Sequence, residues 1–242
     1  MDILSEIKEN REIQLQKEKK LYKKPSFKDA LKQEGLKIIG EIKRASPYKG
    51  KIADNSFNLL NQAKHYAENG VAAFSILTEE EYFKGDNEFI KIVSENFPHI
   101  PILRKDFIYT SFQVAHAKFL GASAILLIVR MLNDEELHTL HRLAHELELD
   151  VLVEIHDKSE LERALKIPDL QILGINNRNL NTFNTDIKTT GELIKFIPEE
   201  ILKNIVLVSE SGFLSKDDLK YAENLNVDAL LIGEALMKGL IF

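Results

Sequence analysis

The feature that most restricts this chain is an alternation that begins at Leu36 and continues almost to the end. Short apolar runs recur at Leu36–Ile42, Val71–Leu77, Pro101–Arg104, Ala122–Ile128, Val151–Glu154, Gln171–Ile175, Ile205–Val208 and Ala229–Ile232. Between them lie stretches with helical patterning, at Phe57–Asn69, Asn87–Asn96, Ser111–Leu120, Asp134–Leu147, Ser159–Leu165, Lys188–Phe196, Lys216–Glu223 and Glu234–Lys238. The runs are apolar almost throughout, as strands of a parallel sheet covered on both faces must be. Loop breaks such as Asn69-Gly70, Gly121, Asp150 and Pro168-Asp169 stand just before the next run. Eight strand–helix units is the count of an α/β fold of the (β/α)8 TIM-barrel type, which takes about 250 residues. An open doubly wound sheet satisfies the same periodicity and remains the alternative.

The first 35 residues lie outside this count. Ile3, Leu4, Ile7, Ile13 and Leu15 among many charges predict a weakly amphipathic helix. Tyr22 to Pro25 breaks it, Ser26 has the chemistry of an N-cap, and Gly35 ends a second short helix. The expected organisation is an N-terminal helical extension over 1–35, serving as a lid or a plug, packed on a barrel over 36–242, with one domain overall. Composition narrows the class. With 242 residues, 44% hydrophobic, the chain can bury a full core, and its formal charge of -6 argues against a nucleic-acid partner. No apolar run approaches the ~20 residues of a membrane span. The charged start is unlike a secretory signal. There is no cysteine, which excludes disulfide and thiolate chemistry. The expected location is cytoplasmic.

In a barrel of this type, chemistry gathers where the strands end. The first run stops in Glu41 and Lys43, two residues apart and so on one side of an extended strand. The third stops in Arg104, Lys105, Asp106 and Phe107, the fifth in Glu154, and the sixth in Asn176, Asn177 and Arg178. The seventh runs into Ser209, Glu210, Ser211 and Gly212, and the eighth into Gly233. Ser211-Gly212 and Gly233, the latter just before a short helix, match the phosphate site that barrels build from their last two loops. Lys105 is the expected general acid, on the argument that Lys43, Arg44 and Arg104 crowd it and disfavour its charged form. Glu154 stands alone after an apolar run, as a general base can. Asn176 can orient a neutral oxygen, and Arg178 can grip a carboxylate with two parallel N–H groups.

These residues sit in segments that resemble the indole-3-glycerol-phosphate synthase family of tryptophan biosynthesis. EIKRASPYKG (Glu41–Gly50), LTEEEYFKGD (Leu77–Asp86), PILRKDFI (Pro101–Ile108), LVEIHD (Leu152–Asp157), GINNRNLNTF (Gly174–Phe183), VSESGF (Val208–Phe213) and LIGEALM (Leu231–Met237) resemble family blocks in the family's order. The resemblance implies a carboxy-lyase that closes 1-(o-carboxyphenylamino)-1-deoxyribulose 5-phosphate into indole-3-glycerol phosphate with loss of CO2 and water. It implies no cofactor and no metal. By motif position, Lys105 is similar to the acid that protonates the ketose carbonyl, and Glu154 to the acid/base group of dehydration. Glu41 and Lys43 would hold and polarise the substrate, with Asn176, Arg178, Glu210 and Ser211 completing the pocket. Ser46, Ser211, Gly212, Gly233 and the backbone N–H of Glu234 would hold the phosphate, with the Glu234 carboxylate turned away from it. Phe83, Phe107 and Leu180 would wall the anthranilate ring. Ser46 to Gly50 is expected to form a flap, in which Tyr48 departs from the family's usual serine. The partners implied are a small phosphorylated substrate and, as candidates, other tryptophan-pathway enzymes.

Plainer roles are expected elsewhere. His138, His141 and His145 are read as a solvated helix face rather than a metal site. Phe57, Leu60, Phe89, Phe112 and Phe119 are read as helix–barrel core. Asp106 is expected to cap or pair locally, Asn177 to shape a turn, and His156, on the alternate side from Glu154, to pack or hydrogen-bond behind its strand rather than react. Two other readings of the barrel stay open: a related phosphosugar enzyme such as phosphoribosylanthranilate isomerase, and a non-catalytic phosphate-binding scaffold.

Overall fold

The computed structural model describes residues 2–46, 50–51, 57–180 and 182–241, with backbone alone at 19–22, 46 and 50–51. Eight parallel strands close into a barrel: β1 (Lys37–Ile42), β2 (Ala73–Leu77), β3 (Ile102–Lys105), β4 (Ala124–Ile128), β5 (Asp150–Ile155), β6 (Ile172–Asn176), β7 (Val206–Glu210) and β8 (Ala229–Ile232). Each strand pairs with its neighbour in the sequence, and β1 pairs with both β2 and β8. That closure decides against the open sheet. Two short segments after β1, Ala45–Ser46 and Gly50–Lys51, pair antiparallel as a hairpin that the sequence did not signal. Tyr48 and the rest of 47–49 lie outside the described residues. No helix among the described residues is long and apolar enough to cross a membrane.

Helices α3 (Leu59–Glu68), α4 (Glu88–Asn96), α5 (Ser111–Leu120), α6 (Asp134–Glu146), α7 (Lys158–Ala164), α8 (Lys188–Ile194), α9 (Glu199–Leu202), α10 (Lys216–Asn224) and α11 (Glu234–Met237) follow the strands. Local chemistry sets their ends. Thr110 with Gln113, Asn133 with Glu136, and Ser215 with Asp218 form capping boxes that satisfy the first free amides of α5, α6 and α10. Gly121, at φ 93°, closes α5 in the left-handed conformation.

Period-two alternation sorts the strand residues into two cores. Ile39, Leu103, Leu152, Val206 and Leu231 point into the barrel, while Ile102, Val151, Val153 and Leu207 face the helices. The lower end of the interior is plugged by α2 (Phe27–Leu31), whose Phe27 and Leu31 are fully buried against the inward strand residues. Burying each is worth about 1.5–3 kcal/mol. Asp150, the first residue of β5, bolts this helix in place: its Oδ2 accepts from Ser26 Oγ at 3.1 Å and from the Lys28 amide at 2.9 Å. By contrast, α1 (Ile3–Tyr22) leaves Ile3, Leu4, Ile7, Ile13 and Leu15 exposed.

Two expectations of burial fail. On α5 the core face is Val114, Ala117 and Leu120, whereas Phe112 and Phe119 are 73% and 85% exposed, flanking His116. Helical spacing was present, but on the outer face. On α6 the histidines are not a solvated face, because His141 is buried with its ring centroid 4.4 Å from that of His145.

Candidate active site

The alternation that builds the inner core also delivers the polar groups at its upper end. Glu41 follows Ile39 on the inside of β1, Lys105 follows Leu103 on β3, and Glu154 follows Leu152 on β5. Asn176 on β6 and Glu210 on β7, paired in register, complete the ring. These side chains line a cavity of about 410 Å³ together with Lys43, Phe83, Phe107, Arg178, Leu180, Ser211, Gly212, Gly233 and Glu234. Of the predicted site residues, Ser46 alone falls outside this description, since only its backbone is placed. The pocket has further walls that the strand-end reading passed over, among them Leu126, Ile128, Phe183, Thr185, Phe213 and Leu214. Leu126 and Ile128 were legible as inward positions of β4; Phe183 lies in a loop, where no period marks it.

At the centre, the Lys105 ammonium lies 2.8 Å from Glu154 Oε2 and 3.0 Å from Glu210 Oε2. Burial alone would lower the Lys105 pKa, but the charges of Glu154, Glu210 and Glu41 outweigh it and raise the pKa well above the ordinary lysine range. The expectation that neighbouring cations disfavour its charge is therefore wrong. Arg104 is one residue away and points outward, where Thr78, Asn87 and Asp106 hold it, and Arg44 is exposed. The Asp106 pairing agrees with the local role expected for it.

The two carboxyls beside Lys105 are inequivalent. Burial pushes Glu154 up, but Lys105 and then His156 pull it below the usual carboxylate range. Glu210 is pushed up by burial and by the Glu154 charge, despite the same ammonium. Two carboxyls sharing one cation are driven apart in proton affinity, and Glu210 is the one pushed up. Among the described residues, Glu210 Oε1 has no hydrogen-bond partner. Gly174, between β5 and β7, makes room for it: a Cβ there would lie 2.4 Å from that oxygen.

The pair that opened the strand-end inventory is intact. Lys43 Nζ is bound to Glu41 Oε1. Burial would raise the Glu41 carboxyl, but Lys43 and then Lys105 bring it below its ordinary value. Gly233 permits the pair, since a Cβ there would stand 2.6 Å from Glu41 Oε1 and 3.2 Å from Lys43 Nζ. Beside it, Ser211 and Gly212 take φ of 68° and 97° in succession. A non-glycine residue in the left-handed region is strained by about 1 kcal/mol or more. The Ser211 carbonyl is held by Asn177 Nδ2 at 3.0 Å. Asn177 is thus more than a turn residue: it is buried and also bonds Ser209 and Thr190. Glu234 opens α11 with its carboxylate 2.7 Å from Lys238 Nζ. The rings of Phe83 and Phe107 lie 5.9 Å apart at the rim.

His156 was expected to pack or hydrogen-bond behind β5, on the side away from Glu154. It does bond Glu160 of α7, through its amide at 2.8 Å and Nδ1 at 3.0 Å, and does not line the main pocket. The side is what differs: it stands two residues beyond Glu154, and its Nε2 lies 3.2 Å from Glu154 Oε1. The parity was in the sequence and was misread.

Comparison with known proteins identifies the family. Residues 2–240 match the family described as Indole-3-glycerol phosphate synthase. The indole-3-glycerol phosphate synthase of Thermoanaerobacter pseudethanolicus is 50% identical over 213 residues, covering 88% of this chain and 79% of that one. That of Acetivibrio thermocellus is 44% identical, covering 98% and 95%. Among solved structures, KGPDC from Streptococcus mutans superposes with a TM-score of 0.59 at 12% identity, covering 85% of this chain and 97% of that one. N-acetylmannosamine-6-phosphate 2-epimerase from Clostridium perfringens gives 0.58 at 16% identity, covering 83% and 87%. At such identities the structures share the fold alone. A match along nearly the whole length, with relatives near half identity, shows that the chain belongs to the indole-3-glycerol phosphate synthase family.

Proposed function

We infer that this chain closes the indole ring of 1-(o-carboxyphenylamino)-1-deoxyribulose 5-phosphate, releasing CO2 and water. The observation that carries the reading is Lys105, an ammonium held at the pocket centre between Glu154 and Glu210. Ring closure needs a proton delivered to the ketose carbonyl as the aryl carbon attacks it. The oxygen gains basicity as the C–C bond forms and it takes on alkoxide character, so the Lys105 proton moves to it as the bond forms. The cationic side chains supply sites for the substrate's carboxylate, Lys43 and Arg178 being the nearest candidates. Decarboxylation restores the aromatic ring and leaves a hydroxyl on the new five-membered ring.

Dehydration breaks the C–O bond with a proton and removes a C–H proton from the adjacent carbon. Glu154 acts there, as acid and then as base, with Glu41 and Lys43 holding the intermediate and Asn176 and Glu210 beside it. Ser211, Gly212, Gly233 and the Glu234 amide, joined by Ser46 from the hairpin, serve the phosphate. Phe83, Phe107 and Leu180 supply an apolar wall for the aromatic ring. The 1–35 segment is assigned as a helical extension of a single barrel domain. A cytoplasmic location and association with other tryptophan-pathway enzymes belong to the same proposal, supported by the family's biosynthetic role.

Purified protein incubated with the carboxyphenylamino-deoxyribulose phosphate should generate indole fluorescence. Folded protein that leaves this substrate unchanged would overturn the assignment. Phosphoribosylanthranilate assayed alongside separates the isomerase reading.

A further inference from the structure

The ring-closure reading carries a demand for protons. The substrate's carboxylate leaves as neutral CO2 and its ketone oxygen leaves as water, so each turnover takes up one proton from solvent. Gross, the substrate receives two protons and returns one from carbon, and the first of the two is given when Lys105 protonates the carbonyl. Lys105 is then neutral while the bound intermediate fills the mouth of the pocket. A second proton is needed at once for the departing hydroxyl.

The structure offers a route from behind. Glu154 bridges two cations, with Oε2 on Lys105 at 2.8 Å and Oε1 near His156 Nε2 at 3.2 Å. The far nitrogen of His156, Nδ1, lies 3.0 Å from Glu160 Oε2, and the His156 amide donates to the same oxygen at 2.8 Å. Arg130 in turn pairs with Glu160 and Asp157. His156 is buried and does not line the main pocket, but it borders a second cleft of about 280 Å³. Asn176 borders both cavities.

We propose that His156 loads Glu154 with the proton that dehydration consumes, and is itself recharged from the second cleft. While Lys105 is charged, two cations hold Glu154 as a carboxylate. Once Lys105 has given its proton to the carbonyl, one of those cations is gone and the proton affinity of Glu154 rises. The imidazolium Nε2, 3.2 Å from Glu154 Oε1, is the adjacent donor; it makes no hydrogen bond among the described residues in this arrangement, so the ring must turn towards the carboxylate to deliver its proton. Its N–H bond breaks and an O–H bond forms on Glu154. Glu154 then protonates the leaving hydroxyl, the C–O bond breaks, and water departs. The carboxylate takes the C–H proton of the neighbouring carbon and passes it to Lys105, which restores the starting ammonium. His156 takes one proton from solvent, which balances the turnover. The groups facing His156 agree with a charged ring at neutral pH: burial would lower its pKa, but Glu154 on its own strand and Glu160 on α7 raise it to about 9. Arg130 and Asp157 offset each other at the rim. His156 does not reach the reacting atoms; it acts through Glu154.

The test is His156→Asn in the full chain, which keeps a polar side chain but cannot carry a proton. CO2 release and indole formation are followed separately in a single turnover, across pH 6 to 10. The expected result is a normal CO2 phase, indole formation slowed by about 10²-fold, a KM close to that of the parent, and partial recovery with added imidazole. Equal loss of both phases, or unchanged kinetics and pH profile, overturns the relay. If His156→Asn does not fold, Glu160→Gln decides: its alkaline limit for indole formation should move to lower pH, and an unmoved limit overturns the proposal. Failure of the parent protein to release CO2 strikes at the ring-closure reading instead.

Discussion

Lys105 is the residue on which the reading turns most directly. General acid–base groups contribute about 10²–10⁴ in rate, so Lys105→Met should lower kcat by about that factor while product affinity, followed by quenching of indole fluorescence, stays within a few-fold. A kcat close to that of the parent would remove Lys105 from the acid role. Gly174 makes a different prediction. Its missing Cβ is the space occupied by Glu210 Oε1, and overpacking a tight site costs about 1–3 kcal/mol. Gly174→Ala should therefore lower both the urea midpoint and kcat, with Gly174→Ser no better. Retained stability and rate in the alanine variant would mean that Glu210 can move without consequence. Legibility at this scale followed parity. Glu41, Lys43, Lys105, Glu154 and Glu210 were readable because inward positions of a strand recur every second residue. The charge state of Lys105 was not, since the carboxyls that set it come from β5 and β7, 49 and 105 residues away.

Elements were legible as far as their patterns were. Strands and helices were found in the right order because apolar runs and capping signals are local. Which face of a helix meets the barrel was harder, as α5 shows: Phe112 and Phe119 keep helical spacing yet face outward, while the smaller Val114 and Ala117 pack inward. The same question on α6 has an energetic consequence. Burial, and then the neighbouring His145 charge, lower His141 to about 4, below the ordinary 6.5. Between those values the unfolded chain binds more protons than the folded one, so stability is lost as pH falls from 6.5 towards 4. His141→Leu should flatten the melting temperature against pH in that window. The slope will not vanish, because His145 is lowered too. An unchanged slope would mean that His141 does not remain neutral in the fold.

For the whole molecule, the barrel separates what holds it together from what it does. The lower interior is apolar and is stoppered by α2, and the upper interior is charged. Phe27→Ala should cost about 3–5 kcal/mol in urea unfolding, and under native conditions should leave KM nearly unaltered, since no Phe27 atom lines the pocket. A large change in KM without loss of stability would place α2 in the chemistry. The fold class was legible because eight repeats of one pattern admit few architectures. The plug was legible only as one of two alternatives, lid or plug, because five helical residues carry no signal of the surface they will meet.

That stopper also governs traffic. With Phe27 and Leu31 below and Leu103, Leu126, Leu152 and Val208 filling the axis, the barrel is a blind vessel rather than a tube. Among the described residues the lower end is closed, so on the proposed reaction one large product and two small ones leave from the upper end, where the substrate arrives. Gas, water and sugar phosphate then share that end with the incoming substrate, and the order in which they clear it sets how soon the next one can enter.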